Sequence, residues 1–184
     1  MISVALNDVF KEAVSYAKEN RHEYLTVEHV FLAIVRSEKG REILNVLGAN
    51  IEKLEKGIID HIQKTIPVLK EAVEPFETVA LSRAINDMMT HIHSAGRTEA
   101  KIGDMLASIF LQEHSYAVYL MKREGIARVD VLEVSPISIT RPIRSLRVRR
   151  RRRHCSISSR WSLSRLPRGV RSILSSDGWM RSTV

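Results

Sequence analysis

The 184-residue sequence lacks the features that mark several common protein classes. It has one cysteine, Cys155, so neither a disulfide nor a cysteine-rich zinc site can form within the chain. Its eight glycines form neither GxGxxG nor GxxxxGK[ST], the loops that cradle nucleotide phosphates. No apolar run reaches the roughly 18 residues of a membrane span, and no charged segment precedes an apolar one at the N-terminus. We therefore expect a cytoplasmic protein without a cofactor.

Charge is divided unevenly along the chain. Residues 1–140 hold 16 Lys+Arg and 20 Asp+Glu, a net charge of −4. Residues 141–184 hold 13 Arg, 10 Ser, no Lys and one acid, Asp177, a net charge of +12. High charge of one sign without a sustained apolar period predicts disorder. We expect a folded domain over 1–140 and a disordered, arginine- and serine-rich tail over 141–184.

An apolar period typical of helices runs through the region before the tail. Thr26 can cap a second helix that starts at Val27. Gly40 and Gly48 bracket a short third helix, and a fourth follows before a proline-containing connector. The apolar stripe of the first helix consists of Leu6, Val9, Phe10, Ala13, Val14 and Ala17.

The same pattern returns in the second half of that region. The first helix matches a stripe at Leu81, Ile85, Met88, Met89 and Ile92, and the second matches Ile102, Met105, Ile109 and Phe110. Such self-similarity indicates a duplicated four-helix unit, with repeats at about 1–64 and 78–134. We predict an all-α fold of eight short helices, arranged as two repeats related by a pseudo-twofold axis.

Two histidines stand close together in residues 22–29, HEYLTVEH. A zinc-protease helix needs HExxH, because histidines four apart share one helix face. His22 and His29 are seven apart, with a predicted helix cap between them. A metal site assembled across the turn stays open as an alternative. A lone histidine near a helix end is more often simply hydrogen-bonded or exposed, and we predict no metal site.

Two acids in the same stretch have no counterpart in the second repeat. Glu23 and Glu28 correspond to Thr98 and Gly103, so the four-helix unit does not require acidic residues at these positions. They are either solvated or helix-dipole residues, which are common on protein surfaces, or a functional pair. On this comparison the fold is expected to tolerate the loss of both.

Most of the chain resembles a known family. Over about residues 1–133 it resembles the amino-terminal Clp repeat domain of ClpA-type Hsp100 AAA+ unfoldases. The resemblance is carried by ENRHEYLTVEHVFLAIV, GREILNVLGANIEKL, SAGRTEAKIGDMLASIF and YAVYLMKREGIARVDVLE. It implies a domain without catalytic activity that docks a ClpS-type adaptor and recognises protein substrates. The family's adaptor surface falls on Glu23, Glu28, Thr78 and Arg128.

After Glu133 the sequence departs from that family. A full ClpA continues into two AAA+ modules, whereas here the enrichment in arginine, serine and leucine is typical of a shifted reading frame. The sequence thus predicts a truncated adaptor-docking domain. The alternative takes the tail at face value, because RVRRRRRH could neutralise several phosphates. That function would be sequence-independent binding of nucleic acid or of another anionic surface.

Overall fold

The computed structural model describes residues 1–71 and 74–134, so the predicted tail lies outside the described part. Within that part, eight helices and two short strands follow one another, which confirms the predicted all-α fold. The helices are α1 (Val4–Glu19), α2 (Val27–Arg36), α3 (Glu38–Val46), α4 (Ile51–Thr65), α5 (Val79–Ser94), α6 (Ile102–Ile109), α7 (Tyr116–Arg123) and α8 (Arg128–Val134). The strands are β1 (Tyr24–Leu25) and β2 (Phe76–Glu77).

The helix boundaries follow from local chemistry. Several helices begin after a residue whose side-chain oxygen accepts a first-turn N–H, which satisfies an otherwise unpaired donor. These caps are Ser3, Ser37, Asn50 and Ser115. Gly40 lies inside α3, so the prediction that it precedes that helix is wrong. A Cβ at Gly40 would lie 1.9 Å from the Ile34 carbonyl oxygen, so the glycine permits the close approach of α2 to α3.

The core is built around two helices at equivalent places in the repeats. In α6 every residue is buried, and in α2 only Glu28 and Arg36 are partly exposed. Helix α2 packs on α1, α3 and α4 of its own repeat and on α5, α6 and α7 of the other. The two repeats therefore share one hydrophobic core, as expected for units that each leave an apolar face uncovered.

Backbone hydrogen bonds show the internal symmetry directly. Strands β1 and β2 pair in parallel, so the chain before α2 lies beside the chain before α5. The Thr78 N–H donates to the Leu25 carbonyl at 3.1 Å, and the Ser3 N–H donates to the Ala100 carbonyl at 2.9 Å. Ser3 is the counterpart of Thr78, and Ala100 is the counterpart of Leu25. The start of each repeat thus pairs with the middle of the other.

Candidate docking site and the joint beside it

Two of the predicted site residues meet at the ribbon formed by β1 and β2. The Glu23 carbonyl accepts the Phe76 N–H at 2.9 Å, and the Leu25 carbonyl accepts both the N–H and the hydroxyl of Thr78, at 3.1 and 3.2 Å. Glu23 and Thr78 are therefore held at opposite ends of one small, hydrogen-bonded ribbon. Their side chains are half-buried.

Large apolar side chains are exposed along the same ribbon. Tyr24 and Phe76 are directly paired in the strand register and are 39% and 64% exposed. Val79, the first residue of α5, is 67% exposed. A hydrogen bond with Glu23 and the negative charge of that carboxylate raise the pKa of the Tyr24 hydroxyl. We call Glu23, Tyr24, Phe76, Thr78 and Val79 the ribbon surface.

Glu28 occupies a different environment. Its carboxylate oxygen Oε1 accepts the Ser115 hydroxyl at 2.9 Å and the Tyr116 N–H at 3.1 Å. These donors form the start of α7, where a negative charge also opposes the positive end of the helix dipole. Glu28 therefore ties α2 to the other repeat. The comparison of the repeats could not show this role, because the partners lie 87 and 88 residues further along the chain.

Arg128 lies at the first residue of α8. Its Nε donates to the carbonyl of Ala107 on α6 at 3.2 Å, so it joins α8 to the buried helix of the second repeat. Within residues 1–71 and 74–134, no hydrogen bond or ion pair links Arg128 or Glu28 to the ribbon surface. The structure thus brings Glu23 and Thr78 together, and a binding role for the four residues stays a prediction.

His22 and His29 form a buried pair beside the ribbon. They are 3% and 1% exposed, and Nδ1 of His22 lies 2.9 Å from Nε2 of His29. The Thr26 N–H lies 3.1 Å from Nδ1 of His29 and can only donate, so that nitrogen accepts. We therefore assign the His29 proton to Nε2, which donates it to His22. Both histidines are thus hydrogen-bonded, which is one of the two states expected from the sequence, and neither is exposed.

This environment favours neutral histidines. Burial lowers the pKa of His22, and burial together with the positive charge of a protonated His22 lowers the pKa of His29 to about 4. Glu28 acts in the opposite direction on His29 but more weakly. In the described part of the chain, no group of three or more His, Cys, Asp or Glu side chains is arranged to hold a metal ion. The pair caps α2 and joins it to the preceding turn.

We call this connection between the helix start and the preceding turn the joint. The second repeat forms the same joint from an ion pair. Arg97 and Asp104 occupy the positions equivalent to His22 and His29. The guanidinium binds both carboxylate oxygens, at 2.5 and 3.2 Å. Asp104 also accepts the Lys101 N–H at 2.9 Å, as His29 accepts that of Thr26. The unusual stretch in the first repeat is therefore a variant of a structural joint that the fold uses twice.

Comparison with known proteins settles the family. Residues 1–124 match the family described as the Clp repeat (R) N-terminal domain. The chain belongs to this family. A Clp repeat relative, the ClpA homolog protein of Fuscovulum blasticum, is 29% identical over 133 residues. The match covers 71% of this chain and 17% of that protein, so this chain corresponds to a small part of its relative.

Solved structures agree on the Clp repeat fold. The Hsp104 N-terminal domain from Candida albicans is 10% identical with a TM-score of 0.61, covering 71% of this chain and 85% of that one. The ClpV N-domain in complex with a VipB peptide is 16% identical with a TM-score of 0.59, covering 74% and 85%. Clp N-domains bind proteins or adaptors and are not themselves catalytic. No described helix is long and apolar enough to cross a membrane.

Proposed function

We propose that this Clp repeat domain docks a ClpS-type adaptor through the ribbon surface and so brings protein substrates to a ClpA-like unfoldase. The observation that carries the proposal is the exposure of Tyr24, Phe76 and Val79 beside Glu23 and Thr78. Protein interfaces combine an apolar centre with a polar rim, and apolar clusters left on a monomer's surface often mark such sites.

The geometry suits a reversible partner. The backbone of the ribbon is fixed by hydrogen bonds between its two strands and from the Glu23 N–H to the Pro67 carbonyl. Docking would therefore order only side chains and lose little conformational entropy. The rim charge of Glu23 would guide the encounter and set the orientation, whereas the aromatic rings would supply most of the affinity. Glu28 holds the start of α7, and a direct contact of Glu28 or Arg128 with the adaptor stays a prediction.

The experiment compares Glu23→Lys and Phe76→Ala with Glu12→Lys in the full chain. Glu12 is exposed on α1, has no hydrogen bond or ion pair with the ribbon surface among the described residues, and provides the same change of charge. Titration against a ClpS-type adaptor should show at least a tenfold loss of affinity, about 1.4 kcal/mol, for each ribbon variant. The loss in Glu23→Lys should appear partly in the association rate and shrink at high salt.

All variants carry the arginine-rich segment, so any nonspecific binding through that segment is the same in each and cancels in the comparison. If Glu12→Lys weakens binding as much as Glu23→Lys, general charge attraction accounts for the effect and the docking site is elsewhere. Unchanged affinity in Phe76→Ala would remove the apolar centre from the proposal.

A further inference from the structure

Helices α4 and α7 bring the two repeats into contact on a face that the ribbon surface does not include. The Tyr116 ring, at the start of α7, stacks on the His61 ring near the end of α4, with the ring centroids 4.0 Å apart. Just after α7, the Glu124 carboxylate accepts the N–H of Asn50, the residue before α4, at 3.3 Å. The order of these contacts shows that the two helices run antiparallel.

A glycine allows a close approach in the middle of this contact. A Cβ at Gly57 would lie 3.2 Å from Cδ2 of Leu120, so the leucine side chain lies against the backbone of α4. A cleft of about 370 Å³ lies along the contact, and its apolar and aromatic lining consists of Gly57, His61, Tyr116 and Leu120. Tyr119, whose ring centroid is 5.4 Å from that of Tyr116, is 54% exposed. We call this cleft the α4–α7 groove.

The charged residues that line the groove are mostly cations. They are Lys53, Lys56 and Lys64 of α4 and Arg123 of α7, against a single acid, Asp60. All four cations are exposed, and in the described part of the chain none of them forms an ion pair. The region before the tail has a net charge of −4, so this positive charge is a local concentration. A cleft lined by charge of one sign attracts ligands of the other.

The cations form a row rather than a single cluster. Lys53 and Lys64 stand eleven positions apart on α4, which is about 16 Å along the helix axis. One carboxylate or phosphate group would occupy only part of that length. About five residues of an extended peptide, at roughly 3.3 Å each, would span all of it.

We propose that the α4–α7 groove binds an acidic, extended segment of a protein partner, with apolar side chains between its carboxylates. The lysines and Arg123 select the carboxylates and fix their register, while Leu120 and the aromatic rings offer surface on which the apolar side chains are buried. Because Clp N-domains bind proteins, a peptide is favoured over other polyanions.

This inference rests on the protein binding proposed above but not on the ribbon surface. Among the residues that the structure describes, no hydrogen bond or ion pair joins the groove to the ribbon surface. The groove would therefore take a substrate segment directly, and an adaptor on the ribbon would leave it accessible.

An NMR titration of the full chain with a short synthetic peptide, glutamates with a leucine and a phenylalanine between them, tests the proposal. The amide signals of Gly57 and Leu120 report on the groove itself, so binding of the peptide to the arginine-rich segment does not contribute. Both signals should shift and reach saturation. The same peptide with glutamine in place of every glutamate should need at least tenfold more peptide for half-saturation.

Charge reversal locates the site. Lys56→Glu with Arg123→Glu should raise the half-saturating concentration at least tenfold, and Lys56→Gln with Arg123→Gln should raise it in the same direction by less. Lys11→Glu with Lys39→Glu makes the same change of total charge at exposed positions that do not line the groove. This control should change the half-saturating concentration by less than about twofold, because solvent and salt screen distant charges.

Four outcomes would overturn the proposal. These are unshifted Gly57 and Leu120 signals, equal binding of the glutamine peptide, equal weakening in the control, and tighter binding of a short oligothymidylate at the same signals, which would assign the groove to nucleic acid. The comparison of the two peptides needs no variant, so it decides even if a variant folds poorly. Since no adaptor is present, failure here leaves docking at the ribbon surface untouched.

Discussion

The two repeats build one joint from different chemistry, two buried histidines in the first and Arg97 with Asp104 in the second. The difference follows solvent access. His22 is 3% exposed, whereas the Arg97 side chain is 36% exposed. Burying an ion pair fully costs desolvation energy that neutral imidazoles avoid, and a partly hydrated guanidinium bears little of that cost. The exposure of a joint to water therefore influences which residues can form it.

The largest effect should come from His29→Ala. The change removes the acceptor of the Thr26 N–H, leaves a cavity and strands the buried His22 without its partner. We expect the free energy of unfolding to fall by about 3 to 4 kcal/mol, measured by urea denaturation. His91→Ala, at an exposed position of α5, is the control and should cost less than about 0.5 kcal/mol. A loss below about 1 kcal/mol would mean that the histidine pair contributes little to stability.

The next largest effect should be a loss of stability in acid that arises from the first joint. The folded pKa of His29 is about 4 against an ordinary 6.5, so between these pH values the unfolded chain binds more protons and stability rises with pH. The contribution is complete above about pH 6.5 and is lost as pH falls towards 4. It amounts to about 3 kcal/mol, which unfolding experiments over this range would measure.

Transplanting the second joint supplies the matched control. His22→Arg with His29→Asp replaces the histidines by the arginine–aspartate pair and should flatten the pH dependence between about 6.5 and 4. If the wild-type and transplanted chains lose stability in parallel over that interval, other groups account for the acid sensitivity.

A smaller effect separates the two acids. Glu28→Ala removes the acceptor at the start of α7 and should cost about 1 to 2 kcal/mol by urea denaturation. Glu23→Ala should cost less than about 0.5 kcal/mol, because the partner of its carboxylate among the described residues is the exposed Tyr24. Equal losses would mean that both acids are structural or that neither is. The hydrogen bonds of Glu28 thus lead us to expect that the fold tolerates the loss of Glu23 better than the loss of Glu28.

Much of the fold could be predicted because local residue patterns determine where the helices lie. The apolar period located the helices, Thr26 marked the start of α2, and the spacing between the repeats recurs in the hydrogen bonds that join them. The prediction at Gly40 failed because a sequence does not distinguish a glycine at a helix boundary from a glycine at a close helix crossing. That Glu23 and Thr78 belong to one surface was suggested only by the family resemblance.

The sequence by itself determined the helices, the duplication and the uneven charge, since these depend on residue type and on spacing along the chain. Only the tertiary structure decided which residues of HEYLTVEH are buried, which bind each other and which face solvent. Those outcomes depend on partners far away in the sequence: the Pro67 carbonyl accepts the Glu23 N–H, and the Ser115 hydroxyl donates to Glu28. A histidine has the same intrinsic chemistry at either site, and the surrounding water, or its exclusion, fixes its charge and its role.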